Sequence, residues 1–307
     1  MWKLLSGVFL GWCLGTNDSA SLFGTGVSTG IVKYRTAVLL AAFFVLLGAL
    51  LEGPKCMGTL GELSRPLPVE AFFCTLASAI IMAIMINLGI PSSASQAIVG
   101  AVIGAGIVSG SVDFTKLFMI VSCWVIAPVV ALFTAYVLHR FLSYLLAKKR
   151  TSLTRRTFLY YVGIMLAGSY GAYSLGANNV ANVTGVYVSS GMLSAEIAAL
   201  IGGLSIASGV MTSSKKVMMT VGKGIVPLDP FSALVAVLSE AVTLHVFTQL
   251  GVPVSCSQAI VGAVVGVGLV GDVQTVSVKM LARIGIGWIM TPVSGGVLAF
   301  LFIRVMT

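Results

Sequence analysis

The sequence predicts an all-α polytopic membrane protein of two inverted-topology repeats, with discontinuous helices and short re-entrant or half-helix elements. Three observations predict it. Hydrophobic residues fill 58% of the 307 positions and charged ones 9%, and the mean hydropathy is +1.06, a balance that makes lipid the main solvent. The string SQAIVGAV stands at Ser95–Val102 and again at Ser257–Val264, an offset of 162 (95 to 257), so the chain is a duplicated object. The basic residues that give a net charge of +9 cluster in short connections between apolar runs, where the positive-inside rule places them.

Taken in order, the first segment runs near 2–30 and opens with Lys3 and an apolar stretch to Leu14. No small-residue cleavage site precedes a polar domain, so it reads as a membrane segment rather than a removable signal. Segments follow near 36–58, 68–89, 92–110 and 114–146, then a basic connection, then 158–190, 194–220, 230–250, 254–270 and 277–304. A bilayer core of about 30 Å needs roughly 20 helical residues, which most of these supply. The two short ones, 92–110 and 254–270, are rich in Gly and Ser and are the discontinuous elements. The chain thus divides into a first transmembrane repeat (1–147), a basic cytoplasmic connection (148–157) and a second transmembrane repeat (158–307).

The duplication extends beyond the octet. Gly15-Thr16-Asn17-Asp18 matches Gly176-Ala177-Asn178-Asn179, and Trp124 with Pro128 matches Trp288 with Pro292. Five segments per half is an odd number, so the second half enters from the opposite face, an arrangement common in secondary transporters. If every segment crosses, one face collects Lys33, Arg35, Arg140, Lys148, Lys149, Arg150, Arg155, Arg156, Lys215, Lys216, Lys223, Lys279 and Arg283. The other collects Lys3, Lys55, Arg65, Lys116 and Arg304. The first face is then cytoplasmic and both termini extracellular in a multi-pass protein of the cell membrane. Re-entry of the short segments makes the count even, unless the segment 2–30, interrupted at Gly15 and Asn17, compensates.

The same basic clusters argue against nucleic acid as a partner, since they sit at membrane boundaries. Cys13, Cys56, Cys74, Cys123 and Cys256 show no paired spacing and lie mostly in apolar stretches, which implies neither metal nor disulfide. No serine–histidine pairing or His/Cys/Asp grouping supports an intramembrane enzyme.

Polar chemistry concentrates at four places, two per half. Gly15-Thr16-Asn17-Asp18-Ser19 interrupts an apolar helix with residues that favour local side-chain to backbone bonds. An ionised group there costs about 2.5–3.5 kcal/mol on insertion scales, so Asp18 should face protein, water or a cation; the plainer alternative is a helix cap. Gly176-Ala177-Asn178-Asn179 supplies amides instead, and amide and freed main-chain oxygens suit an alkali cation. The other two places are Ser92-Ser93-Ala94-Ser95-Gln96 after Pro91, and Ser255-Cys256-Ser257-Gln258 after Pro253. Unpaired N–H groups at a helix start, with hydroxyls and the positive dipole end, form an anion site. Two such starts facing each other would hold one oxyanion. Read plainly, the serines are N-caps and Gly100, Gly104, Gly262 and Gly266 allow close helix packing.

The Gly15–Asp18 motif and Gly176-Ala177-Asn178-Asn179-Val180-Ala181-Asn182 resemble the paired GANDxAN signatures of the inorganic phosphate transporter (PiT) family. Pro253-Val254-Ser255-Cys256-Ser257-Gln258 is similar to its PVSTTH-type loop, and Gly222-Lys223 precedes it as in that family. The resemblance covers both halves. It implies a cation-coupled phosphate symporter driven by sodium or protons, an inverted repeat, extracellular termini and a homodimer. Asn179 stands where the family has a second Asp, Ser21 where Asn is usual, and Gln96 and Gln258 where many relatives carry His. Glu240 lies one helical turn from the glutamate many relatives carry and is either a coupling residue or a buried acid. Glu52 and Glu196 fall near segment ends, His139 at an interface, and His245 reads as a packing histidine.

Together these readings give a secondary active transporter that carries inorganic phosphate into the cell with sodium by alternating access, with no cofactor and with sodium as a co-transported ligand. The candidate phosphate residues are Asp18, Ser93, Ser95, Gln96, Asn179, Ser255, Ser257 and Gln258. The candidate sodium ligands are Asn17, Asp18, Asn178, Asn179, Asn182, Ser92 and Ser255. Asp18 either accepts the hydrogen bond of a protonated phosphate, which sulfate cannot offer, or binds sodium, or does both. Without a histidine beside either serine loop, sodium is the preferred driver over protons. A sulfate transporter of similar fold and an anion channel are the competing functions.

Overall fold

A computed structural model describes residues 2–88, 92–148, 152–224, 228–270 and 278–306. Eleven α-helices account for most of them: α1 Leu5–Ser28, α2 Tyr34–Glu52, α3 Pro54–Gly61, α4 Pro68–Asn87, α5 Ala94–Ser109, α6 Phe114–Ala147, α7 Leu153–Ser189, α8 Ala195–Gly224, α9 Pro230–Gln249, α10 Cys256–Gly268 and α11 Val278–Met306. The helix starts follow the sequence chemistry. α4 and α9 open on a proline, whose missing N–H costs nothing there, with Glu70 accepting from the Leu67 N–H at 2.7 Å and Asp229 capping Phe231 and Ser232. Segment 36–58 divides at Gly53-Pro54 into α2 and α3, because proline removes a helical donor. Its counterpart α8 continues unbroken.

Among the described residues six helices are long and apolar enough to cross a membrane: α2, α4, α6, α9 and much of α8 and α11. Their outward faces carry large exposed apolar side chains, such as Phe118, Val125 and Phe133 along α6, as a lipid-facing surface requires. α1 and α7 have the length but carry the polar motifs, and their polar residues point into the bundle. The chain is a multi-pass membrane protein.

Contacts fix the direction of each element. The Trp2 ring meets Phe72 at 5.0 Å, Phe73 meets Phe302 at 5.7 Å, and the Tyr187 hydroxyl donates to the Lys3 carbonyl at 2.9 Å. Residues 2, 72, 187 and 302 therefore share one end of the bundle. At the other end Tyr34 bonds Ser214 and His139 packs on Phe231. α4 and α5 form a hairpin that returns to its starting end, since Ser111 Oγ donates to the Ser64 carbonyl at 2.9 Å and the Asp113 N–H to the Leu63 carbonyl at 3.0 Å. The α9–α10 hairpin starts from the opposite end, beside His139. A hairpin that goes in and returns adds two passes or none, so the odd parity of each half survives.

The halves are not separate lobes. α1 packs on α8 and α2 on α7, while α5 lies along α11 and α10 along α6. A Cβ at Gly15 would fall on the Ile206 carbonyl, and one at Gly176 on the Val45 carbonyl. Gly100 and Gly262 meet the carbonyls of Pro292 and Pro128 in the same way. These glycines let backbones touch, which is the packing role expected of Gly100, Gly104, Gly262 and Gly266.

The interruptions expected at Gly15–Ser19 and at the matching Gly176–Asn179 do not occur. α1 runs uninterrupted through Gly15–Ser19, and α7 through Gly176–Asn182. The hydroxyls of Ser19 and Ser21 donate back to the carbonyls of Thr16 and Asp18, and the asparagines find partners on other helices, so no backbone bond is lost. Pro91 and residues 149–151 of the basic connection lie outside the described residues, as do the side chains of Lys216, Lys223, Lys279 and Arg283.

Candidate functional site

The two hairpin tips meet where α1 and α7 carry their polar motifs. Ser93 and Ser255 are the N-caps of α5 and α10, accepting from the N–H groups of Gln96 at 3.3 Å and Gln258 at 3.2 Å. Ser95 bridges the halves. Its hydroxyl donates to the Val254 carbonyl at 2.8 Å, lies 3.3 Å from Asn179 Oδ1, and accepts from Asn182 Nδ2 at 3.0 Å. The positive ends of two helix dipoles thus open onto one region.

Each hairpin is tied to a polar helix by an asparagine. Asn17 Nδ2 donates to the Ser92 carbonyl at 3.1 Å and to Asp18 Oδ1 at 2.6 Å. Asn178 Nδ2 donates to the Val252 carbonyl at 3.1 Å, and its Oδ1 accepts from the Val254 N–H at 2.9 Å. Asn178 thereby holds the second hairpin in place and keeps one oxygen lone pair for any other ligand. Asn182 Nδ2 also bonds Asn179 Oδ1 at 2.8 Å, which orients both amides.

Glu240, on α9, is fully buried, and its Oε1 accepts from Ser21 at 2.9 Å and from the Cys256 thiol at 2.7 Å. Ser21 also donates to the Asp18 carbonyl at 2.8 Å. The single O–H of Ser21 can serve either Glu240 Oε1 or the main-chain carbonyl of Asp18; the Asp18 carboxyl itself is held by Asn17. Cys256, which the sequence ties to neither metal nor disulfide, is a donor to an acid. The signal was visible: it replaces the Ala94 of the first copy just ahead of an identical octet.

All the candidate site residues, Asn17 apart, are buried. Five buried side-chain atoms here lack partners: Gln96 Oε1, Gln258 Oε1, Asn179 Nδ2, Asn182 Oδ1 and Glu240 Oε2. An unmade buried hydrogen bond costs about 1–3 kcal/mol; of these five, Asn179 Nδ2 is a donor and the other four are acceptors. Amide N–H and helix-start N–H groups suit an oxyanion; Asp18, Glu240 and amide oxygens suit a cation. Among the described residues no group of three His, Cys, Asp or Glu is placed to hold a metal ion of the chelated kind.

Glu52 and His245 stand apart from this region. Glu52 accepts from Tyr173 at 2.8 Å and Gln249 at 2.5 Å, and lies 3.4 Å from Lys55 and 3.5 Å from His245, whose other nitrogen pairs with Tyr170. Glu196 is exposed in the first turn of α8. Trp124 and Trp288 carry orphaned buried indole N–H groups.

The profile described as the phosphate transporter family matches residues 14–299. A Methanocaldococcus jannaschii protein provisionally named a phosphate permease is 26% identical over 98% of this chain and 96% of its own. The sulfate permease CysP of Bacillus subtilis is 27% identical over 94% of this chain and 83% of its own. A solved structure named "The sodium-dependent phosphate transporter" superposes with a TM-score of 0.88 at 23% identity, covering 100% of this chain and 99% of that one.

Proposed function

Because the chain belongs to the phosphate transporter family, we propose that it is a secondary active transporter that moves inorganic phosphate into the cell together with sodium by alternating access. The observation that carries this reading is the meeting of two helix starts, capped by Ser93 and Ser255 and joined by Ser95 to the Val254 carbonyl, beside buried acids and amides that leave one donor and four acceptors unpaired. The phosphate ligands are Ser93, Ser95, Gln96, Asn179, Ser255, Ser257 and Gln258, with Asp18 accepting from the P–OH group. Asn17, Asp18, Asn178, Asn179, Asn182, Ser92 and Ser255 provide the oxygens for sodium, and Glu240 couples the two. Sodium is supported by the name of the superposing transporter and by the buried carboxylates, which need a cation partner.

The two repeats, 1–147 and 158–307, exchange roles as the site opens to one face and then the other. The hairpins entering from opposite ends support that inversion. The basic end, with Lys33 and Arg140, is cytoplasmic by the positive-inside rule, which makes both termini extracellular; the homodimer rests on family resemblance.

Radiolabelled phosphate uptake into proteoliposomes, with sodium and proton gradients varied independently, tests the proposal. Accumulation driven by inward sodium alone is expected. Uptake driven by a pH gradient in sodium-free liposomes would replace sodium with protons, and purely downhill flux would make the protein a channel. The sulfate permease relative favours one rival substrate, so competition by arsenate and sulfate belongs in the same assay. Arsenate should compete and sulfate should not.

A further inference from the structure

Trp124 on α6 and Trp288 on α11 occupy matching places in the two halves, each four residues before an intrahelical proline, Pro128 or Pro292. Their indole Nε1–H groups are buried without partners, and so are the Oε1 atoms of Gln96 and Gln258. Helix packing brings these orphans to common levels. Gly100 of α5 rests on the Pro292 carbonyl and Gly104 on that of Gly296, so α5 and α11 run parallel and in step. One turn back along both helices, Gln96 comes abreast of Trp288. Gly262 rests on the Pro128 carbonyl and Gly266 on that of Leu132, which sets Gln258 abreast of Trp124. At each of these two contacts between the halves an unpaired donor from one half and an unpaired acceptor from the other share one turn, where glycines let the backbones approach closely.

A carboxamide has its acceptor on one side and its donors on the other. Whatever holds Oε1 therefore aims Nε2–H₂. We propose that Trp124 and Trp288 are positioning residues of the anion site: with the oxyanion bound, each indole N–H donates to the glutamine abreast of it and turns that amide's N–H groups onto the anion. The following prolines contribute by leaving the Trp124 and Trp288 carbonyls without a helical donor, which loosens each helix at the level where the indole must close. The same arrangement occurring twice, at the α5–α11 and α10–α6 contacts, is the reason to read it as part of the site rather than a packing accident.

This inference rests on the anion-transport reading above, and the tests separate them. Trp124→Phe and Trp288→Phe keep a ring and remove the donor. In proteoliposomes each should raise the KM for phosphate about five- to tenfold, while Vmax and the sodium half-saturation change by less than about twofold. Trp288→Phe combined with Gln96→Ala should be no worse than Gln96→Ala alone. The unaltered chain labelled with 5-fluorotryptophan provides a readout that needs no variant: phosphate should shift two of the four ¹⁹F resonances, leaving those of Trp2 and Trp12 in place. Unchanged KM in the Phe variants, fully multiplicative losses in the double variant, or four unmoved resonances would each overturn the positioning role while leaving phosphate transport standing. A wild-type chain that moves no oxyanion would overturn both.

Discussion

On the α1 side of the site, Ser21 and Cys256 both donate to the buried Glu240, and Asp18 adds a second buried acid one turn before Ser21. The positions that correspond in the repeat, Asn179, Asn182, Ser78 and Ala94, carry no charge, and two of them bond each other. The backbone plan is the same on both sides, down to serine N-caps and glycine contacts. What differs is the demand each side makes. The amide side nearly satisfies itself and leaves a donor, Asn179 Nδ2, and an acceptor, Asn182 Oδ1. The acid side holds two buried carboxyls and calls for a cation or a proton. In the transport scheme proposed above, the symmetric scaffolding would permit alternation and the unequal side chains would give a shared anion site one cation-hungry face.

The most severe way to erase this difference is Asp18→Asn, which makes the two motifs alike. Sodium-dependent phosphate uptake should fall by about a hundredfold or more, as expected for loss of a buried charged contact, while elution as a folded species is retained. Persistent sodium-driven uptake would sink the role given to Asp18. Glu240→Gln is the next test: it keeps an acceptor for Ser21 and Cys256 but removes the second charge, and should lower uptake about tenfold with a shallower dependence on sodium concentration. An unchanged sodium dependence would make Glu240 a structural acid. Ser21→Asn restores an amide matching Asn182 and should cost about threefold in uptake, read against Asn182→Ser made in the other half; equal responses would argue that the two sides do not differ in role. Smallest in transport terms are Gly100→Ala and Gly262→Ala. Each puts a methyl group on a carbonyl, and each should destabilise by about 1–3 kcal/mol, seen as matching drops in thermal midpoint, because packing is what the halves share.

Helix positions were legible because lipid imposes a length and an apolar composition, and the predicted segments lie within a few residues of the observed ends. The candidate site residues stand out in the sequence because duplicated polar strings in an apolar chain have few other uses, and the structure brings the two serine loops to the asparagine motifs. The continuity of α1 was not legible. Local propensity argued for a break at Asn17, but Asn17 spends its amide on the Ser92 carbonyl, 75 residues away, and a tertiary partner overrides propensity. The return of α5 rests on Ser64 meeting Ser111, which no segment length reveals. Cys256 is marked in the sequence only by its replacement of Ala94, while its acid partner lies on the preceding helix, beyond any local pattern.

The crossed packing of the halves also bears on how the chain is made. Because α1 needs α8 and α2 needs α7, the first five membrane segments leave the ribosome before the surfaces that bury their glycine-lined faces exist. The early half must wait in the bilayer, polar motif included, until synthesis passes residue 224. Each half is then a template for the other, and neither should settle alone: residues 1–147 expressed by themselves are expected to be degraded, and co-expression with 158–307 to rescue both.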